Sequence, residues 1–141
     1  MGSKQSAVHN ACSTGNISLV EEYLTKGGDP NARKGLARLM PLHVAAIYGQ
    51  KDIVALLIEK GANIEGKQFE HSTALILAAQ HGKKEIVSFL VEHGADIQAS
   101  RHDSSTALHL ASFNGHRDVV QYLIDNGADP ICENEEGFFS W

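Results

Sequence analysis

One stretch of seven residues recurs in this chain at a fixed interval of 33 residues. It reads MPLHVAA from Met40, TALILAA from Thr73 and TALHLAS from Thr106. Glycines keep the same step, at 49, 82 and 115 and again at 61, 94 and 127. An earlier copy near Val8 is offset from the next by 34, which places one extra residue in the segment 33–39. Such a period predicts one supersecondary unit repeated along the chain, because each unit can bury its apolar face only against its neighbours.

Each unit contains two short apolar runs separated by a glycine. The second run has helical spacing, as in Ile53, Val54, Leu57 and Ile58, so the unit predicts two antiparallel helices. A threonine precedes the first helix at 73 and 106, where its hydroxyl can cap the helix. The glycines at 61, 94 and 127 are placed to end the second helix in the left-handed conformation. The polar stretch that follows is long enough for a hairpin-like projection.

These strings resemble the Thr-Pro-Leu-His-x-Ala-Ala and Gly-Ala-Asp signatures of the ankyrin repeat family over about residues 5–141. The resemblance implies an all-α solenoid of four stacked helix-turn-helix units with short β-hairpin-like projections. The units of this single domain, 1–141, fall at about 5–35, 36–68, 69–101 and 102–134, with an incomplete fifth unit at 135–141. Met40, Ile76 and Gly66 depart from the family pattern, at a capping threonine, at a histidine and in a linker.

The sequence gives little support for a catalytic or a metal-binding function. His9, His43 and His109 occupy one equivalent position, where the family resemblance implies imidazole bonds to neighbouring backbone. Successive layers lie about 8–10 Å apart, too far for these histidines to share one zinc ion. The chain has no HExxH, GxSxG or phosphate-binding glycine motif, and Cys12 falls where the second and third units place alanine. We therefore expect a non-catalytic chain without cofactor or metal, and Cys12 as a small buried residue.

The net charge and the cysteine content limit which partners and which cellular compartment we expect. A net charge of −5 argues against binding to nucleic acid phosphates. No stretch approaches the ~20 apolar residues of a membrane span, and no signal peptide is recognisable. Cys12 and Cys132 lack CxxC spacing, which fits a reducing compartment. We expect a cytoplasmic protein that is monomeric in isolation.

The first six residues leave an alternative function open. Gly2 and Ser6 match the pattern for N-terminal myristoylation, which would make the chain a membrane-tethered regulatory adaptor. Met-Gly-Ser is also a common expression scar, and a single acyl chain attaches a protein only marginally. Membrane attachment is expected only if Gly2 is acylated. A small-ligand or enzyme module assembled from the projections is the other alternative.

The family resemblance implies that a protein or peptide partner binds along the inner helix face and the hairpin tips. On the inner face, residues the repeat does not require are Ile47, Tyr48, Gln80, His81, Phe113 and Asn114. Tyr48 and Phe113 are the expected anchors, because exposed aromatic residues dominate binding surfaces. Packing between layers is the competing interpretation of Ile47 and Phe113.

The hairpin tips run from basic to acidic along the chain. They comprise Arg33, Lys34, Leu36, Arg38 and Leu39; Lys67, Phe69 and Glu70; Arg101, His102 and Asp103; and Glu133, Glu135 and Glu136. A run of charges is often only a solvated edge. Our hypothesis is that the row orients a partner, with its acidic end near Arg33 to Arg38 and its basic end near Glu133 to Glu136.

Overall fold

The computed structural model describes residues 3–130, and within that range the chain forms eight helices in four antiparallel pairs. The inner helices are α1 (Ser3–Thr14), α3 (Pro41–Tyr48), α5 (Ala74–Gln80) and α7 (Ala107–Phe113). The outer helices are α2 (Ile17–Thr25), α4 (Lys51–Glu59), α6 (Lys84–Glu92) and α8 (Arg117–Asp125). Each helix packs on its own partner and on the equivalent helix of the next pair. The predicted all-α stack of four units is therefore confirmed.

A single apolar core runs through the stack from Val8 to Ala128. Its inner part is built from small side chains that let neighbouring inner helices approach closely: Ala45, Ala46, Ala78, Ala79 and Ala111. Its outer part is aliphatic: Ile53, Leu57, Ile86, Leu90, Val119 and Leu123. Burial of each large aliphatic residue contributes about 1.5–3 kcal/mol. Because the core is continuous between units, each unit buries its apolar face against its neighbours.

The helix ends follow the sequence prediction. The Oγ1 atoms of Thr73 and Thr106 accept hydrogen bonds from the backbone N–H three residues later, at 3.3 and 3.4 Å. Gly61, Gly94 and Gly127 follow the outer helices with φ of 96°, 91° and 101°. These are left-handed conformations that glycine adopts without strain.

The second unit departs from the family pattern at Met40 and Gly66, and the side chain of His43 bonds the backbone of both residues. The imidazole Nδ1 accepts from the backbone N–H of Met40 at 3.0 Å, although the methionine side chain makes no capping bond. The opposite ring nitrogen, Nε2, donates to the carbonyl of Gly66 at 2.9 Å. A Cβ at residue 66 would lie 2.5 Å from Cε of Met40, so a larger residue there would require the buried methionine side chain to move.

In the third unit Ile76 replaces the histidine, and a glutamine side chain makes hydrogen bonds within the preceding loop. Oε1 of Gln68 accepts from the backbone N–H groups of Glu70 and Ser72, at 2.6 and 3.1 Å. The amide side chain therefore closes the loop before α5 from within. The neighbouring hydroxyl of Ser72 is fully buried and has no hydrogen-bond partner among the described residues.

The hairpin-like projections differ in length by one residue. Lys34 and Leu39 pair across four intervening residues, whereas Gln68–Ser72 and Arg101–Ser105 are bonded across three. The extra residue of the 34-residue offset is therefore in the loop of the first tip, as predicted. Three non-glycine residues before the inner helices have left-handed backbone: Arg38, His71 and Ser104, with φ of 56°, 65° and 65°.

The helices of residues 3–130 are all short. None combines the length and apolar content that crossing a bilayer requires.

Candidate functional site

The inner face carries a row of side chains at the C-terminal ends of α3, α5 and α7. We call this row the inner ridge; it consists of Ile47, Tyr48, Gln80, His81, Phe113 and Asn114. Tyr48 is 57% exposed and Phe113 is 80% exposed. Packing between layers is therefore the wrong interpretation of Phe113. Ile47 is half-buried, so its exposure does not decide between packing and partner binding.

Two polar members of the inner ridge are bonded to the ends of their own helices. The ring Nδ1 of His81 bonds the carbonyl of Leu77 at 2.9 Å, and the side-chain amide of Asn114 donates to the carbonyl of Leu110 at 2.9 Å. The Asn114 bond fixes the end of α7, from which the ring of Phe113 projects. Tyr48 and Phe113 thus present apolar area on a rigid scaffold, which lowers the entropic cost of binding.

The first two hairpin tips carry a second pair of exposed apolar side chains. Leu36 is 95% exposed and Phe69 is 65% exposed. A main-chain hydrogen bond joins the tips, because the N–H of Phe69 donates to the carbonyl of Ala37 at 2.8 Å. Both residues lie on the tips, as the sequence predicts, but the link between them depends on how successive units stack and has no signal in the sequence.

Basic side chains also link the tips through backbone carbonyls. Nη1 of Arg33 donates to the carbonyls of Arg38 and Lys67, at 3.1 and 2.6 Å. Nζ of Lys67 donates in turn to the carbonyl of Ser100 at 2.9 Å. Because carbonyls carry no net charge, these bonds leave the positive charges uncompensated.

The third tip is close to neutral. Arg101 forms a two-point ion pair with Asp103, at 2.9 and 3.3 Å. The hydrogen bond from Arg101 is the main cause that holds the pKa of the Asp103 carboxyl well below its usual range. The predicted charge gradient therefore has a basic beginning and a paired middle. Its acidic end, Glu133, Glu135 and Glu136, lies outside the described residues, so that end stays a prediction.

His71 and His102 join the second tip to the third. Their rings stack with centroids 3.8 Å apart, and the N–H of His102 donates to the carbonyl of Glu70 at 3.2 Å. Partial desolvation, followed by the charges of His102 and Lys67, lowers the pKa of His71. His102, predicted as a partner-binding residue, is exposed and also has this structural role.

The repeated core histidines bind backbone, as the family resemblance implied. Nε2 of His9 lies 3.0 and 2.8 Å from the carbonyl oxygens of Ala32 and Leu39, and Nδ1 of His109 accepts from the N–H of Thr106 at 3.0 Å. Burial lowers the pKa of His43 to about 4, so its imidazole is neutral at physiological pH. At least one ring nitrogen of each of these histidines is thus occupied by a structural hydrogen bond.

The remaining candidates for chemistry in the described range are the thiol of Cys12, groups of metal-binding side chains and a surface groove. Burial raises the pKa of Cys12 to about 12, which keeps the thiol protonated and unreactive. Across residues 3–130, no three His, Cys, Asp or Glu side chains are grouped so that they could hold a metal ion. A surface groove of about 530 Å³ lies beside α2 and is lined in part by Leu19 and Tyr23. Two of its charged residues, Glu22 and Lys26, pair with each other at 2.7 Å.

Two predicted features cannot be placed. Gly2, the site of the acylation alternative, lies outside the described residues, and so does the incomplete fifth unit at 135–141. Both stay predictions.

Comparison with known proteins agrees with this architecture. A family model described as "Ankyrin repeats (3 copies)" matches residues 2–68 and 65–134. The E3 ubiquitin-protein ligase hecd-1 of Caenorhabditis elegans is 38% identical over 71 residues. That match covers 50% of this chain and 3% of the ligase, so the chain spans a small fraction of this relative.

Proposed function

Because the chain belongs to the ankyrin repeat family, whose repeats are protein-interaction modules, we propose that it binds a protein or peptide partner along the inner ridge without catalysing a reaction. The observation that carries this proposal is the exposure of Tyr48 and Phe113, 57% and 80%, on the ends of two rigid inner helices. An exposed aromatic ring buries about 150–250 Å² when a partner covers it. Two such rings supply the anchors that a binding surface needs.

The geometry of the inner ridge limits what the partner looks like. Tyr48 and Phe113 belong to the second and fourth units, which are two layers or roughly 20 Å apart. An extended peptide covers that distance with about six residues. Between the anchors lie the polar side chains of Gln80 and His81. The proposed partner segment therefore has apolar side chains near both ends and hydrogen-bonding groups between them.

The match to hecd-1 supports a shared repeat and nothing more. That protein is named as a ubiquitin ligase, and the matched 71 residues are 3% of it. The proposal for this chain is accordingly partner binding without ligase chemistry.

We also propose that the protein is cytoplasmic and monomeric. The free thiol of the buried Cys12 is consistent with a reducing compartment. Imaging of a tagged chain in cells tests the first statement, and sedimentation equilibrium of the purified chain tests the second. Exclusion from the cytoplasm, or a stable dimer, would contradict them.

The inner-ridge proposal is tested by affinity capture from cell lysate with quantitative mass spectrometry. The baits are wild type, the double variant Tyr48→Ala/Phe113→Ala, and the control Lys51→Ala/Gln121→Ala, whose residues are exposed on outer helices. Each lost anchor is expected to cost at least ~1 kcal/mol of binding, or about fivefold in affinity. Exposed positions leave the melting temperature nearly unchanged.

The expected result is at least one protein retained by wild type and by the control but depleted on the double variant. Identical capture by all three baits would contradict the proposal. A large fall in melting temperature of the double variant would instead assign the two rings to the core.

A further inference from the structure

We propose that the first two hairpin tips form a second binding site, which takes an acidic peptide segment bearing large apolar side chains. We call this surface the tip patch; it consists of residues 33–39 and 67–70. The proposal rests on the proposed function as a protein-binding module, but it uses none of the residues of the inner ridge. The two surfaces lie at opposite ends of the inner helices, about 10 Å apart along α3.

The apolar part of the tip patch is Leu36 and Phe69. They are 95% and 65% exposed, whereas most large aliphatic residues of the described chain are buried or half-buried. The extra residue of the first tip lengthens its loop, and Leu36 stands in that loop. Exposed Leu and Phe on adjacent tips can take up a pair of apolar side chains from one extended segment.

The charged part of the tip patch is strongly one-sided. It contains the cations Arg33, Lys34, Arg38 and Lys67, against the single carboxylate of Glu70. None of the four cations lies within 4.0 Å of a carboxylate oxygen in residues 3–130. This contrasts with the third tip, where Arg101 is paired with Asp103. The whole chain is acidic, with a net charge of −5, so this basic island is a local feature.

The tip patch is also held in shape before any partner arrives. The main-chain bond between Phe69 and Ala37 joins its two halves at 2.8 Å. The guanidinium of Arg33 bridges the same halves through the carbonyls of Arg38 and Lys67. A preorganised pair of tips pays less entropy on binding than two independent loops.

An acidic apolar peptide fits these observations better than a membrane surface does. A lipid bilayer also attracts basic residues flanked by apolar ones. However, the carboxylate of Glu70 follows Phe69 directly and would be pressed against anionic headgroups. An extended peptide can place its acidic groups beside Arg38 and Lys34 and leave Glu70 in water.

The test uses phage-displayed random dodecapeptides selected on the purified full chain, followed by fluorescence anisotropy with the recovered peptides. One variant removes the apolar part, Leu36→Ala/Phe69→Ala. Another reverses charge, Lys34→Glu/Arg38→Glu, and spares Arg33 and Lys67 because those two bridge the tips. The matched control is Lys51→Glu/Lys84→Glu, which makes the same change of charge at exposed outer-helix N-termini, far from the tips.

We expect recovered peptides with net negative charge and at least one large apolar side chain. Each tip variant should weaken them by about tenfold or more, the charge reversal mainly at low salt, while the matched control leaves binding unchanged. Circular dichroism should show all variants folded, because the substituted side chains are exposed or half-exposed.

Several outcomes would overturn the tip patch. These are the recovery of no peptide, recovery of peptides without acidic bias, or equal weakening by the matched control. Peptides lost on Tyr48→Ala/Phe113→Ala but kept by both tip variants would overturn the tip patch and leave the proposed function standing. Sedimentation with vesicles of about 30% phosphatidylserine that depends on the tip residues would replace the peptide by a membrane.

Discussion

Acidification should destabilise this protein through one buried side chain, His43. The imidazole is fully buried, accepts a hydrogen bond at Nδ1 and donates one at Nε2, so both nitrogens are satisfied in the neutral form. Desolvation lowers its pKa from 6.5 to about 4. In the unfolded chain the same ring takes up a proton near pH 6.5. Between these two pH values the unfolded state therefore binds more protons than the folded state, and stability is lost as pH falls.

The size of this effect follows from the difference in pKa. About 2.5 pH units correspond to about 3 kcal/mol when the loss is complete below pH 4, and to about 2 kcal/mol by pH 5. A domain of this kind has a total stability of roughly 5–15 kcal/mol. The ring therefore accounts for a measurable part of the free energy of unfolding, fully present above pH 7.

Urea denaturation followed by circular dichroism at pH 7.5 and 5.0 measures the loss. In the variant His43→Gln we expect lower stability at pH 7.5, by about 1–3 kcal/mol for the lost hydrogen bonds, together with about 2 kcal/mol less pH dependence. His93→Gln, which removes an exposed imidazole, is the control. If His43→Gln retained the full pH dependence of wild type, the reasoning from burial would be wrong.

Two further predictions concern backbone in the left-handed region. Ser104 has φ of 65°, and the sequence places glycine at the next equivalent position, 137; Ser104→Gly should raise the free energy of unfolding by roughly 0.5–1 kcal/mol, and a lower urea midpoint would contradict this. Gly82 and Gly115 have φ of 70° and 74°, so alanine at either costs about 1–2 kcal/mol of strain. A Cβ at Gly82 would also lie 2.5 Å from the ring of His116, whereas the one at Gly115 meets open space among the described residues. Gly82→Ala should therefore be more destabilising by about 1 kcal/mol, and equal losses would refute the contact argument.

Much of the fold could be predicted from the sequence because each repeat encodes its own local structure. The threonine caps at 73 and 106 and the glycines that end the outer helices act within a few residues, so a single unit displays them. The position of the extra residue in the first tip was likewise readable from the change of offset from 33 to 34. The sequence period predicts the fold here because each unit packs on its neighbours in the same way.

The candidate surfaces were less predictable because they depend on contacts between units. The sequence does not show whether Phe113 is exposed or packed between layers, since helical spacing alone does not say what covers a ring. The bridge from Arg33 to the carbonyl of Lys67 joins residues 34 positions apart and leaves no local signal. The left-handed backbone of Arg38 and His71 was not predicted either, because the usual sequence signal for that conformation is a glycine and neither residue is one.

Site-specific photocrosslinking in cells tests the central claim, that a partner binds along the inner ridge, most directly. Benzoylphenylalanine is placed at Tyr48 or Phe113 on the inner ridge, and at Gln121 on the exposed side of α8 as a control. We expect the same protein to be crosslinked from both inner-ridge positions and not from the control position. Crosslinks from the control position alone, or from none of the three, would contradict it.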